Sequence, residues 1–552
     1  MRVDHPDAVV IGSGAGGGIT AKVLAEQGMK VLLLEKGDNH FVGLDRPEGI
    51  LRNHFSNDEL KFVHRNFIDQ DPRIEPRTYR RSEGERAIVG KVNTLATTVG
   101  GGTIHYDGNS PRIQQKDLRA RTIYGPMEGT SLEDWPISYG DLEPSYDEVE
   151  KIIGVQGEAG VNPYEEPRAP YPMPPGYPKY ISVLISDAAR SQGYHPYPTP
   201  IAINSVAYRG RPACANCGFC ASHGCVINAK GSTAVTAIRD ALLTGNCELR
   251  PNCFVYRLRT NSAGSAIESV EYVGPGGEKG IQTGGVFILA GNGIESARLC
   301  LLSSCETHPD GLGNRSGMVG RNLMFHSSRT IFGIFPQRTH IHRGRVGTHY
   351  LDDFHRPPDP DDPDKLFGGG VVEFGAQLHP IEEAKNLPVA GEGHKKYMRG
   401  SLFRDHLGVI TLIGEDPPVP TNRVDLDPDV RDVYGFRVAR ITYKEHSNDQ
   451  KVVDRYVPKL KKIMWEAGAA LVLDVPQTII TGGISNTGHI LGTLRMGEDP
   501  DCSVTDPFGK FHDLDNLYCA DGGVFVTSTA YNPTLTTQAL AHRQAVRIVA
   551  GG

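Results

Sequence analysis

This sequence predicts an α/β protein of two domains. One holds a parallel sheet assembled from distant parts of the chain; the other is built by the intervening insertions around its own, mostly antiparallel sheet. Three observations carry the prediction. Ala8–Ile11 is a short apolar run that breaks into Gly12-Ser13-Gly14-Ala15-Gly16-Gly17-Gly18 and then a helical stretch. Two further apolar runs, Val286–Ala290 and Leu517–Ala520, also stop at or close to glycine, far downstream. Residues 315–480 carry alternating segments, such as Gly408–Ile413 and Phe436–Ile441, whose period of two suits strands with one face buried. At 552 residues the chain exceeds what one simple core organises.

The N-terminal unit reads strand, glycine turn, helix (Ile19–Gln27), strand (Val31–Leu34), then Glu35. Gly12, Gly14 and Gly17 have the G-x-G-x-x-G spacing. The first glycine permits the tight turn, the second lets backbone approach a pyrophosphate, and the third lets helix and strand pack closely. The helix N-terminus offers oriented N–H groups and partial positive charge. A carboxylate at Glu35 accepts hydrogen bonds from an adenosine ribose and repels a 2′-phosphate. This is a Rossmann-like dinucleotide site.

The later elements follow in order. Val286–Ala290 leads through Gly291 to a helix over Ile294–Leu302, Leu517–Ala520 ends at Asp521-Gly522-Gly523, and a last helix covers Leu535–Val549. A helix is expected near Asp454–Glu466. Residues 161–178 are dense in proline, which forbids regular helix and implies an extended surface excursion. Arg356–Lys365, rich in proline and aspartate, reads as a solvated loop or lid. The expected dinucleotide domain is therefore discontinuous, 1–45, 85–125, 205–314 and 481–552. The substrate domain and its lids take 46–84, 126–204 and 315–480.

A net charge of −7 without clustered Lys and Arg gives no footprint for nucleic acid. No apolar run approaches the roughly 20 residues of a membrane helix. Met1–Asp7 runs straight into the first strand, leaving no room for a signal peptide, so the expectation is a cytoplasmic protein. Export to the periplasm would need a partner carrying the signal. Six of the ten cysteines are scattered and read as small apolar side chains. The other four, Cys214, Cys217, Cys220 and Cys225, crowd into twelve residues with spacing C-x2-C-x2-C-x4-C, and Gly218 and Gly224 let the loop wrap tightly. Thiolates so spaced suit an iron–sulfur cluster or zinc. Local disulfides and free thiols are left open by the spacing.

Four separated segments resemble the glucose–methanol–choline (GMC) family of FAD-dependent alcohol oxidases and dehydrogenases. They are the glycine loop with Glu35, the stretch Thr98–Arg112, the stretch Ala290–Ser296, and the C-terminal pair Gly488–Gly497 and Asn516–Thr536. The resemblance implies FAD held by Gly12, Gly14, Ala15, Gly17, Glu35, Lys36, Gly101, Gly102, His105, Asn109, Val255, Ala290, Gly291, Glu295, Asp521, Gly522, Asn532, Pro533 and Thr534. His489, directly before a G-T-x-R-M-like turn, stands at the family's catalytic histidine. Asn532 stands where members carry histidine or asparagine. Hydride removal from an alcohol carbon needs a base for the hydroxyl proton and a donor for the developing alkoxide, and these two residues match those roles. His105 aligns with a histidine that pyranose 2-oxidase links covalently to flavin; attachment here is left open.

The cysteine loop resembles the C-x-x-C-G-F-C region of gluconate 2-dehydrogenase flavoprotein subunits, and similar loops in sugar dehydrogenases hold a three-iron (3Fe-4S) cluster. The resemblance therefore implies an FAD-dependent dehydrogenase oxidising a secondary alcohol of a sugar or glycoside to a keto-sugar. Its electrons would pass to a carrier, either a small subunit or a cytochrome. Two alternatives stand beside it: an oxidase of sterols or long-chain alcohols, and an electron-transfer flavoprotein subunit.

Overall fold

The computed structural model describes residues 3–47, 51–55, 72–90, 92, 95–355, 366–475 and 488–551. The lid expected over Arg356–Lys365 lies outside the described residues, as do residues 481–487 of the expected dinucleotide domain.

Short runs with every side chain apolar are buried on both faces, which is how parallel strands read. Leu517–Cys519, Val286–Leu289, Ala8–Ile11 and Val31–Leu34 are such runs and lie side by side in that order, with the half-buried Cys247–Arg250 at the edge of a five-stranded sheet. All of its pairings are parallel. Segments more than 500 residues apart in sequence thus share one sheet, and the helix Ala15–Glu26 packs against it and against the C-terminal helix Thr534–Val549. The first helix begins four residues earlier than the apolar pattern suggests, because Gly16, Gly17 and Gly18 form its opening turn. A Cβ on Gly17 would sit 1.9 Å from the Gly12 carbonyl oxygen, so only glycine lets the helix lie this close to the turn.

The insertions build their own sheet. Leu471–Val475, Ser327–Ile334, Leu407–Gly414, Gly370–Phe374, His349–Leu351 and Tyr197–Pro198 form six strands, each pair antiparallel. The helix Ser447–Glu466 covers it with Val452, Val457, Leu460, Ile463 and Met464 buried. That helix starts seven residues before its expected position. Its first turn is polar and invisible to apolar periodicity, but it is capped: the His446 side chain accepts from Asn448 N at 3.2 Å, and Asp449 accepts from His446 N at 2.9 Å.

A smaller mixed sheet joins Arg423–Arg431, Arg437–Thr442, Arg77–Arg80 and Ile88–Gly90. The hairpin of 77–80 and 88–90 straddles the boundary expected at 84/85. The two strands pair with each other, Thr78 opposite Val89, a register invisible in sequence, and 77–80 in turn pairs with Arg437–Thr442. Among the described residues no helix is long and apolar enough to cross a membrane.

Candidate active site

At the C-terminal ends of the central parallel strands lies a cavity of about 500 Å³. Its wall takes Gly12, Gly14 and Ala15 from the glycine loop, Glu35 and Lys36 after the second strand, Ala290 and Gly291 after the third, and Asp521 and Gly522 after the fourth. Gly101, Gly102, His105, Asn109, Val255, Glu295, His489, Asn532, Pro533 and Thr534 complete the expected set around the same space. Gly17 is the exception. It does not reach the wall, since its place is spent on packing against Gly12.

These residues suit a dinucleotide. A Cβ on Gly14 would meet no protein atom within 4 Å, leaving an open approach to backbone. Glu35 is buried and accepts from Ser13 N at 3.0 Å, Ser13 Oγ at 2.6 Å and Gly37 N at 2.8 Å, while burial pushes its carboxyl up. Glu295 behaves differently. Burial works to raise its carboxyl, but Lys36, Arg77 and Arg298 outweigh this and hold it well below the usual carboxylate range. Its oxygens are engaged by Arg77 at 2.8 Å and Arg298 at 3.2 Å, so it organises cations at the wall.

The same cavity is lined by His489 and Asn532. Sequence reasoning missed the residues behind them. Nδ1 of His489 is 2.8 Å from Nδ1 of His326, and Nε2 of His326 is 2.9 Å from the Ser528 carbonyl oxygen. A carbonyl only accepts, so His326 carries its proton on Nε2. Burial holds His326 down to about 4, so the ring is neutral and its Nδ1 accepts. His489 must then donate from Nδ1, which leaves Nε2 as its proton acceptor toward the cavity. Burial, and next the His326 ring, keep His489 well below the ordinary histidine value. Ser528 is itself pinned: its Oγ accepts from Asp416 N at 2.7 Å and donates to Asp416 O at 3.0 Å.

Asn532 is braced in the same manner. Tyr350 OH donates to Asn532 Oδ1, which leaves the amide Nδ2 as a donor. Tyr350 lies in register with Glu373 on the neighbouring strand, and Glu373 accepts from Asn109 Nδ2 at 2.6 Å. Asp107 lies close enough to influence Glu373. Asp107, Asn109 and Ser222 add polar groups to the cavity wall. The preceding Tyr531 donates to Asp352 at 2.7 Å, fixing the backbone that carries Asn532.

The cysteine loop adjoins this site. Ser222, inside the loop, lines the cavity and donates from its backbone N to the His105 carbonyl at 3.0 Å. Lys230 Nζ donates to the carbonyls of Tyr106, Cys220 and His223, tying the loop to the flank of the cavity. All four cysteines are free thiols, which sets aside the local-disulfide alternative. Burial pushes the Cys220 thiol up to about 12, and Cys214, Cys225 and Cys217 add to it, so the four share one electrostatic neighbourhood. No three of these sulfurs lie mutually within 4.8 Å. Tetrahedral zinc with bonds of about 2.3 Å needs thiolates about 3.8 Å apart, so three of the four would have to move together to hold it.

A family model described as GMC oxidoreductase matches residues 180–328 in its N-terminal part and 418–541 in its C-terminal part. The chain is 31% identical to 2-methyl-1,2-propanediol dehydrogenase of Mycolicibacterium austroafricanum, over 98% of this chain and 94% of that one. It is 28% identical to the gluconate 2-dehydrogenase flavoprotein of Pantoea cypripedii, over 98% and 93%. Among solved structures it shares its fold with an Aspergillus oryzae formate oxidase variant studied for FAD modification. That match has a TM-score of 0.69 and 15% identity over 100% of this chain and 99% of that one. The glycine loop, the cavity at the strand ends and this near-complete alignment together establish that the chain belongs to the GMC oxidoreductase family, as an FAD-dependent oxidoreductase of CH–OH groups.

Proposed function

We propose that this protein oxidises a secondary alcohol of a sugar or glycoside to the keto form, with His489 as the base. The observation that carries the reading is the shared cavity. A neutral imidazole with its tautomer fixed, an amide donor fixed by Tyr350, and the polar Asp107, Asn109 and Ser222 surround one space. Bound FAD supplies the hydride acceptor; the glycine loop, Glu35, Asp521 and the 532–534 turn would hold it. His489 Nε2 takes the hydroxyl proton. Asn532 Nδ2 donates to the same oxygen as charge develops, from a position that needs no reorganisation. Convergent polar groups suit a hydroxylated substrate, whereas a sterol or long alkyl chain needs an apolar tunnel. The gluconate 2-dehydrogenase flavoprotein among the relatives supports the same substrate class.

The test is anaerobic flavin bleaching against sugars, sugar acids, glycosides, acyclic diols, sterols and long-chain alcohols. Reduction by a sugar or glycoside is expected. Bleaching confined to sterols or long alcohols would overturn the reading, and no bleaching by any alcohol would revive an electron-transfer subunit.

The cysteine loop supports a dehydrogenase that passes electrons to a carrier through an iron–sulfur cluster. Its thiols share one neighbourhood, and Ser222 of the same loop forms cavity wall. Iron and acid-labile sulfide in an anaerobic preparation are the expected result. A pure flavin spectrum without iron would remove the cluster.

A further inference from the structure

We propose that His340, His342 and Asp405 form a divalent-metal site of the zinc class, which clips the 337–344 strap over the cysteine loop. One ring nitrogen from each histidine and one Asp405 carboxylate oxygen all lie within 4.8 Å of one another. Among the described residues this is the sole group of three or more His, Cys, Asp or Glu so arranged. The Nδ1 atoms of both histidines are buried and have no hydrogen-bond partner, which is uncommon for a polar ring atom unless an ion or water completes it. The two rings stand 5.9 Å apart at 75°, side by side rather than stacked, as two ligands of one ion would. His340 holds a left-handed backbone, φ 51°, uncommon for a residue with a Cβ.

Two imidazoles and a carboxylate are a donor set for zinc with a fourth position left to water. Bonds of about 2.0 Å put neighbouring ligand atoms about 3.3 Å apart, so closure asks for side-chain shifts of about 1 Å. The charges facing the site come from three segments. Arg343 and Arg404 sit beside His342. Arg404 is offset by Glu383 at 3.2 Å and turns its Nε toward Asp405 at 3.4 Å. Asp405 supplies the one carboxylate among the ligands.

The site has a structural consequence. The strap lies directly on the cysteine loop: a Cβ on Gly218 would sit 2.0 Å from the His342 carbonyl oxygen, and Gly344 N donates to Asn216 O at 3.2 Å. Asp405 comes from the segment on the strap's other side, whose backbone oxygen accepts from Thr339 N at 2.6 Å. A bound ion would therefore bolt strap and 402–406 segment together over the thiols.

The experiment uses the flavin-loaded full chain, treated with chelator, reloaded with zinc sulfate, desalted and analysed for zinc and melting temperature. Wild type should hold one zinc per chain more than His342→Gln and Asp405→Asn. It should gain a zinc-dependent rise in melting temperature that both variants lose, while a Cys214→Ser/Cys217→Ser variant keeps both. Flavin content reports folding, and Asp405→Asn serves if His342→Gln does not fold. Equal zinc in wild type and the variants, or loss only in the cysteine variant, would overturn the proposal.

Discussion

His326 and His489 meet through their Nδ1 atoms at 2.8 Å, although 163 residues separate them in the chain. The contact does more than fill space. Because Ser528 holds the His326 proton on the far nitrogen, the direction of the shared hydrogen bond is set, and with it the tautomer of His489. Replacing His326 by alanine removes the acceptor from a buried donor, a loss of about 1–3 kcal/mol. Flavin reduction by substrate should slow about tenfold to a hundredfold at unchanged flavin content. The acid limb of its pH profile should also move up. A purely structural role would leave that limb in place.

His489 itself titrates well below the ordinary 6.5 because burial disfavours its charged form. Its neutral form persists as pH falls through 6.5, so the rate of flavin reduction should be level through neutral pH and decline only on the acid side of that value. His489→Ala should lose about 10²- to 10⁴-fold at every pH. Stopped-flow absorbance under anaerobic conditions reads both.

Tyr350→Phe deletes the donor that orients Asn532. The amide can then turn and present oxygen to the substrate oxygen. The expected result is a fall in kcat of about tenfold, with KM less affected, since the interaction strengthens as the alkoxide forms.

Gly14→Ala and Gly17→Ala should fail differently. A Cβ at 14 meets no protein atom, so that variant should fold with its melting temperature nearly unchanged while its flavin-to-protein ratio drops. A Cβ at 17 strikes the Gly12 carbonyl oxygen, so the second variant should lose both flavin and melting temperature.

Glu373 is pushed from 4.5 to about 8, by burial first and then by Asp107. Between these values the folded protein keeps a proton that the unfolded chain has released, so this group's contribution to stability declines as pH rises through the window. Glu373→Gln retains an oxygen acceptor for Asn109 and removes that decline. The variant's melting temperature should match wild type near pH 5 and exceed it near pH 8.

Much of the nucleotide half was legible because its signals are local. The apolar runs 8–11, 286–289 and 517–519 each announce a buried strand, and each carries its cavity residues immediately behind it, so finding the strand finds the wall. His489 and Asn532 were legible through the family's C-terminal pattern. His326, Tyr350 and Glu373 were not, for each sits in an ordinary strand or its approach, with no glycine turn or motif to mark it. Their meaning lies in a partner 163 or more residues away, or on an adjacent strand whose register no periodicity reveals.

By itself, then, the sequence determined the parallel sheet and the dinucleotide turn, since short-range patterns of apolar and glycine residues encode them, while His489 and Asn532 were marked by the family resemblance. Tertiary structure alone decided the tautomer of His489, the orientation of Asn532 and the placing of the cysteine loop against the cavity wall. Those depend on hydrogen bonds between distant segments, and the direction of such a bond is fixed only when donor and acceptor are brought together out of water.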